Sequence, residues 1–195
     1  MTLYELFLLL HVVSAIVWVG AATTYFMLEL WTDLSSDLQR ESGHNEDAEW
    51  LAPRLFIPAA LGTLAFGVIA AIEGNWDFGS LWIVIGLTGF AVSFATGIGY
   101  FEPEIKKLAV AIERDGPAHP DVRRRVATLK MVGRIELAVL YIVVASMVIK
   151  PTGDDGGTLF VFALALGAVA AAAFAWRGRV GARTLQATPS DGGRS

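Results

Sequence analysis

The stretch LFLLLHVVSAIVWVGAATTYFML, residues 6–28, decides the fold class. It carries no charge, and only His11, Ser14, Thr23 and Thr24 are plainly polar. An α-helix rises about 1.5 Å per residue, so roughly 20 apolar residues cross the ~30 Å hydrocarbon layer of a bilayer. This run is long enough to span. It is preceded by MTLYE, with no positively charged region, and no small-residue cleavage site follows it. It therefore reads as a first membrane helix rather than a removable signal.

Three more runs repeat the pattern. Residues 55–72, 81–101 and 159–176 are all uncharged, the third of these almost wholly Ala, Leu, Val and Phe. The chain of 195 residues is 54% hydrophobic and only 17% charged, with a mean hydropathy of +0.54. A water-soluble domain of this size has too little interior for that much apolar side chain, whereas lipid accepts it. The net charge of −4 says little, because the charges are sorted by region. The absence of cysteine rules out disulfides, thiolate catalysis, thiolate zinc sites and iron–sulfur clusters.

A further span needs its charges explained. Residues 137–149 are apolar but too short to cross. Extending back to Val126 takes in Lys130, Arg134 and Glu136. Each costs about 2.5–3.5 kcal/mol near a helix centre on insertion scales. Lys130 can snorkel to an interface, while Arg134 and Glu136 must find partners or water. The expected fold is all-α: a polytopic bundle of five transmembrane helices over about 4–29, 54–73, 80–101, 126–149 and 158–176. Residues 1–178 form one domain, and 179–195 a flexible cytoplasmic tail.

Lys and Arg placement sets the orientation. The connection 102–125 carries Lys106, Lys107, Arg114, Arg123, Arg124 and Arg125, and the tail carries Arg177, Arg179, Arg183 and Arg194. The connection 73–80 has none, and 150–158 has Lys150 alone. An outside N-terminus and a cytoplasmic C-terminus put both basic segments inside, as in the plasma membrane of a prokaryote. The acidic connection 32–52 also falls inside. Residues 103–114 read as a short amphipathic helix lying at the interface, with Ile105, Leu108 and Ile112 on one face. Asp121 is the expected N-cap of the fourth span. The basic residues read as topology anchors or lipid contacts, not as a nucleic-acid surface.

His11 is the sharpest chemical signal, about 12 Å into the first helix by rise per residue. His11, Ser14, Trp18, Tyr25 and Glu29 fall near one stripe, which should face the bundle. The functional interpretation is a haem or metal ligand, or a proton relay. The structural one is a histidine hydrogen-bonded to a neighbouring helix. Lys130, Arg134 and Tyr141 share a face of the fourth helix, and Glu136 projects from nearly the opposite side. By depth, a cluster of His11, Arg134 and Glu136 is sterically feasible. Lys130 and Arg134 could clamp a porphyrin propionate; alternatively Arg134 pairs with Glu29 or Glu102. Gly62 and Gly67 allow close helix packing, and Gly86, Gly89, Thr96, Gly97, Gly99 and Tyr100 suggest tight contacts of the small-residue kind on the third helix. His44, Glu46 and Asp47 have loose metal-ligand spacing without a second histidine, which favours a solvated loop.

Residues 10–26, LHVVSAIVWVGAATTYF, and 129–151, LKMVGRIELAVLYIVVASMVIKP, resemble an uncharacterised family of predicted integral membrane proteins in prokaryotes. The likeness extends distantly to CopD-type copper-resistance membrane domains and to membrane-bound, oxygen-independent protoporphyrinogen oxidases. Its distinctive elements are His-x6-Trp-x-Gly (His11, Trp18 and Gly20) and Met-x2-Lys-Pro (Met147, Lys150 and Pro151). The oxidase likeness implies a haem-binding histidine, which would be His11, and a lysine in a later helix, for which Lys130 is the candidate within a span. The chain lacks the Tyr-x2-Arg-Leu-Phe run expected after the first helix of those oxidases, which argues against their reaction. The CopD likeness implies copper uptake, for which one intramembrane histidine and no cysteine make a poor path.

The expectation is thus a membrane bundle whose polar cluster around His11 binds haem b or another porphyrin in a redox role. The rival expectations are a small transport or ion-permeation protein, built as a homo-oligomer, and a structural or accessory subunit without catalytic activity.

Overall fold

A computed structural model describes residues 1–35 and 52–186, with side chains for 1–31 and 54–178. His44, Glu46 and Asp47 lie outside the described residues. The elements are α1 (Leu3–Ser35), a π-helical turn (Ala52–Phe56) leading into α2 (Ile57–Glu73), α3 (Leu81–Thr96), a second π-helical turn (Gly97–Phe101) leading into α4 (Glu102–Asp115), α5 (Pro120–Ile149) and α6 (Gly156–Gln186). Five helices are long and apolar enough to cross a membrane, among the described residues: Leu3–Trp31, Arg54–Glu73, Leu81–Asp115, Pro120–Ile149 and Gly156–Gly178. The protein is an all-α, multi-pass membrane bundle. Its outer faces need lipid: Ile16 is 65% exposed, Phe160 63% and Val148 78%.

Packing runs through small residues. α1 lies antiparallel along α2, with Ser14 against Gly62 and the His11 ring against Gly67. A Cβ on Gly67 would come within 2.6 Å of His11 Nδ1, so only glycine admits the ring. α3 and α5 pack the same way, with Met147 over Gly86 and Val143 over Gly89. These contacts match the close packing expected of Gly62, Gly67, Gly86 and Gly89. Gly97 and Gly99 depart from that expectation: a Cβ on either would meet nothing within 4 Å, so no close helix contact requires a glycine there. α5 is the hub, touching α1, α3, α4 and α6.

Both π turns have a sequence cause. Pro58 and Pro103 each sit two residues after one. A proline inside a helix lacks an N–H, and its ring collides with the carbonyl four residues back. One extra residue in the preceding turn moves the hydrogen-bond ladder aside. The helices therefore continue through prolines that would otherwise break them.

That continuity corrects one expectation. The amphipathic segment after the third span does not form a separate helix on the membrane surface. It extends α3 into one 35-residue helix, Leu81–Asp115, and packs along the start of α5. Leu108 and Val122, both buried, close this helical hairpin. Gly116, at φ 83°, turns the chain. The cap also differs: His119, not Asp121, is the N-cap of α5, its ring nitrogen accepting from the Asp121 N–H at 3.3 Å. Pro120 opens the helix, so Asp121 already lies within the first turn. α6 stays helical to Gln186, into the segment expected to be a flexible tail.

At the opposite end, Lys150 caps α5 in the left-handed conformation (φ 53°). Its ammonium lies 4.0 Å from the Trp76 ring centroid and 5.1 Å from that of Trp82. The two indoles meet edge to face at 5.3 Å. The Met147, Lys150 and Pro151 motif thus fastens α5 to the α2–α3 connection, with Pro151 fully buried.

Candidate functional site

The polar stripe of α1 faces three helices in succession. Near its start, His11 Nδ1 lies 2.7 Å from the Thr63 carbonyl of α2. A carbonyl only accepts, so Nδ1 carries a proton in this bond, and Nε2 is the ring nitrogen left free of it. Further along, Trp18 meets Phe90 of α3 edge to face at 5.6 Å. Past the middle, Thr23 donates to the Val19 carbonyl at 2.7 Å, so the Tyr141 hydroxyl of α5 donates to Thr23 Oγ1 at 2.9 Å.

At the hairpin end of the stripe, Glu29 and Arg134 form an ion pair of 3.1 Å between α1 and α5. Their side chains are 11% and 14% exposed. The Arg134 guanidinium lies over the Trp176 ring of α6 at 3.9 Å, and 6.0 Å from the Phe26 ring. One arginine therefore joins three helices, and of the two partners weighed for it the structure has Glu29.

Glu136 is different. It lies on the side of α5 that meets α3, about 20 Å back from Ile149 by rise per residue. No ion pair reaches it among the described residues. Its neighbour is Ser93, which continues the Gly86–Gly89 stripe of α3. The Ser93 hydroxyl is buried and has no well-formed hydrogen bond among the described residues. A carboxyl and a hydroxyl thus adjoin in the seam where Val143 and Met147 pack on Gly89 and Gly86.

The residues singled out from sequence are therefore distributed over separate seams. His11 and Ser14 belong to α1–α2, Trp18 to α1–α3, Glu29, Arg134 and Tyr141 to α1–α5, and Glu136 to α3–α5. The feasible cluster of His11, Arg134 and Glu136 does not form, because equal depth on different helices does not mean a shared face. Lys130 is half-buried on α5, one turn before Arg134. Sequence reasoning missed Ser93, Thr63 and the Trp176 stack. Only Ser93 left a signal, as the polar member of a small-residue stripe. No group of three or more His, Asp or Glu side chains suited to a metal ion occurs among the described residues.

The pattern of one family of predicted integral membrane proteins, DUF2269, matches residues 5–151. No curated protein and no solved structure matches the chain. The wider likeness to CopD-type domains and protoporphyrinogen oxidases thus rests on the quoted residues alone. The matched stretch takes in His11, Glu29, Ser93, Arg134, Glu136 and the Lys150 cap, and ends before α6. With a matched region covering most of its length, and helices as apolar as that description requires, the chain belongs to the DUF2269 family of predicted integral membrane proteins.

Proposed function

We propose that this is a small transport or ion-permeation protein of a prokaryotic plasma membrane, in which Glu136 takes up and releases a proton beside Ser93. The observation that carries it is a carboxyl deep in a span with no ion pair among the described residues, next to a buried hydroxyl lacking a well-formed bond. A carboxylate fixed at such a depth costs about 2.5–3.5 kcal/mol on insertion scales. A merely structural contact between α3 and α5 could use a neutral side chain and avoid that cost. Protonated, the carboxyl can donate to a neighbour; ionised, it needs water or a cation. Glu29 and Arg134 offset each other's charge and serve as framework.

Five helices are few for a pathway, so the functional unit is a homo-oligomer. Its N-terminus is outside and its C-terminus cytoplasmic, as the Lys and Arg excess in 102–125 supports. The test is proton flux into proteoliposomes under an imposed potential, read by an internal pH dye. Wild-type protein dissipates the gradient, Glu136→Gln slows it at least tenfold, and Ser93→Ala has a smaller effect. Undiminished flux in Glu136→Gln would end the proposal.

One observation favours a second function, a haem b or porphyrin-handling redox protein. The Thr63 carbonyl takes the Nδ1 proton of His11 and orients the ring, so that Nε2 is the nitrogen available to ligate iron. Haem would supply the electron-accepting centre, and His11 would hold its iron. Arg134, committed to Glu29 and Trp176, does not fit the propionate clamp. Purified protein titrated with hemin gives a Soret band that His11→Ala abolishes; no band in the wild type rejects haem.

A further inference from the structure

The α4–α5 hairpin encloses a cleft that none of these seams uses. Its volume is about 420 Å³. Lys107, Arg114, Arg124 and Arg125 line it, against Asp115 and Asp121. Pairing within the hairpin leaves positive charge over. Asp115 holds Arg114 through bonds of 2.9 and 2.6 Å. Lys107 and Arg125 share a single carboxylate, Glu104, at 2.7 and 3.1 Å. Asp121 sits in the first turn of α5, where the helix dipole favours an anion. Arg124 forms no ion pair among the described residues. Val110, Ala111 and Val122 complete the lining as its apolar floor.

We propose that the cleft binds a phosphate-bearing anion, held by Arg124 together with Lys107 and Arg125. A guanidinium presents a planar fork of donors that matches phosphate oxygens two at a time. Pockets of roughly 300–1,000 Å³ hold small molecules, so this one takes a single phosphorylated headgroup or a small soluble phosphate. By rise per residue, Lys107 lies about 9 Å beyond Phe101 and Arg114 about 20 Å. The polar layer of a leaflet is about 6 Å thick. The Lys107 side is within reach of lipid headgroups, and the Arg114 side faces water.

The experiment uses the full chain in nanodiscs. Inorganic phosphate is titrated by calorimetry into phosphatidylcholine discs, and phosphatidylglycerol retention is measured from mixed discs. Arg124→Gln weakens binding of the preferred probe about tenfold, the effect of losing a charge-assisted bond. Arg123→Gln removes the same charge from a residue that does not line the cleft, and changes binding less than twofold. Phosphate binding in phosphatidylcholine discs identifies a soluble ligand. Phosphatidylglycerol retention without phosphate binding identifies a headgroup. Binding of neither probe, or equal effects of the two variants, overturns the proposal.

Discussion

Replacing Glu29 with Gln removes the carboxylate 3.1 Å from Arg134 while leaving shape and volume almost unchanged. Both side chains are nearly enclosed, at 11% and 14% exposure, so solvent screening is weak. Breaking a buried ion pair from one side costs roughly 3–5 kcal/mol. Arg134→Gln has the same cost and also loses the stack on Trp176, worth up to about 2 kcal/mol when desolvated. The double variant leaves two neutral amides able to bond each other. Its loss should fall about 2 kcal/mol short of the sum of the single losses. The assay is reversible unfolding in mixed detergent micelles, followed by tryptophan fluorescence. Glu29→Gln should shift the folded-to-unfolded ratio by roughly two to three and a half decades at 1.4 kcal/mol per decade. A shift below threefold, or strict additivity in the double variant, would refute a buried clamp at this position.

Further consequences are local. Gly67→Ala forces a Cβ into the His11 ring and should destabilise the bundle by about 1–3 kcal/mol. His11→Ala, which removes one hydrogen bond, should cost nearer 1 kcal/mol; thermal unfolding in one detergent ranks the two. Lys150→Met loses the cation between Trp76 and Trp82 and should change tryptophan emission, whereas Lys150→Arg should preserve it. Asp155 accepts from the Thr152 N–H at 2.7 Å and hydroxyl at 2.9 Å, and these bonds hold its carboxyl below the usual carboxylate range. Its contribution is therefore present above that range and is lost as pH falls through the lowered value. The protection of the Thr152 amide against hydrogen exchange, taken relative to the intrinsic rate at each pH, should fall only on acidification, and unchanged protection would contradict the bond.

The membrane helices were legible because length and apolarity alone settle whether a segment can span. Even the fourth span, with Arg134 and Glu136 inside it, follows from the apolar run after it. Faces were partly legible. The stripe from His11 to Glu29 has one azimuth, and helical periodicity gives azimuth. Its partners were not legible, because one helix face crosses α2, α3 and α5 in turn. Depth counting brought His11 and Glu136 level but could not show that different neighbours separate them. The cage around Lys150 was invisible for a related reason: Trp76 and Trp82 are distant in sequence and read equally well as interface anchors. The long α3–α4 helix was missed because Pro103 reads as a helix start, whereas a π turn lets the helix run through it.

Depth at Glu136 is the quantity on which function and fold both rest. A spin label on Glu136→Cys in nanodiscs, compared with one on Ala118→Cys at the hairpin turn, measures it through relaxation by oxygen and by a water-soluble nickel complex. The label at 136 should respond to oxygen and hardly to nickel, and the label at 118 the reverse. Equal nickel accessibility at the two positions would show that the carboxyl lies in water and would contradict the account.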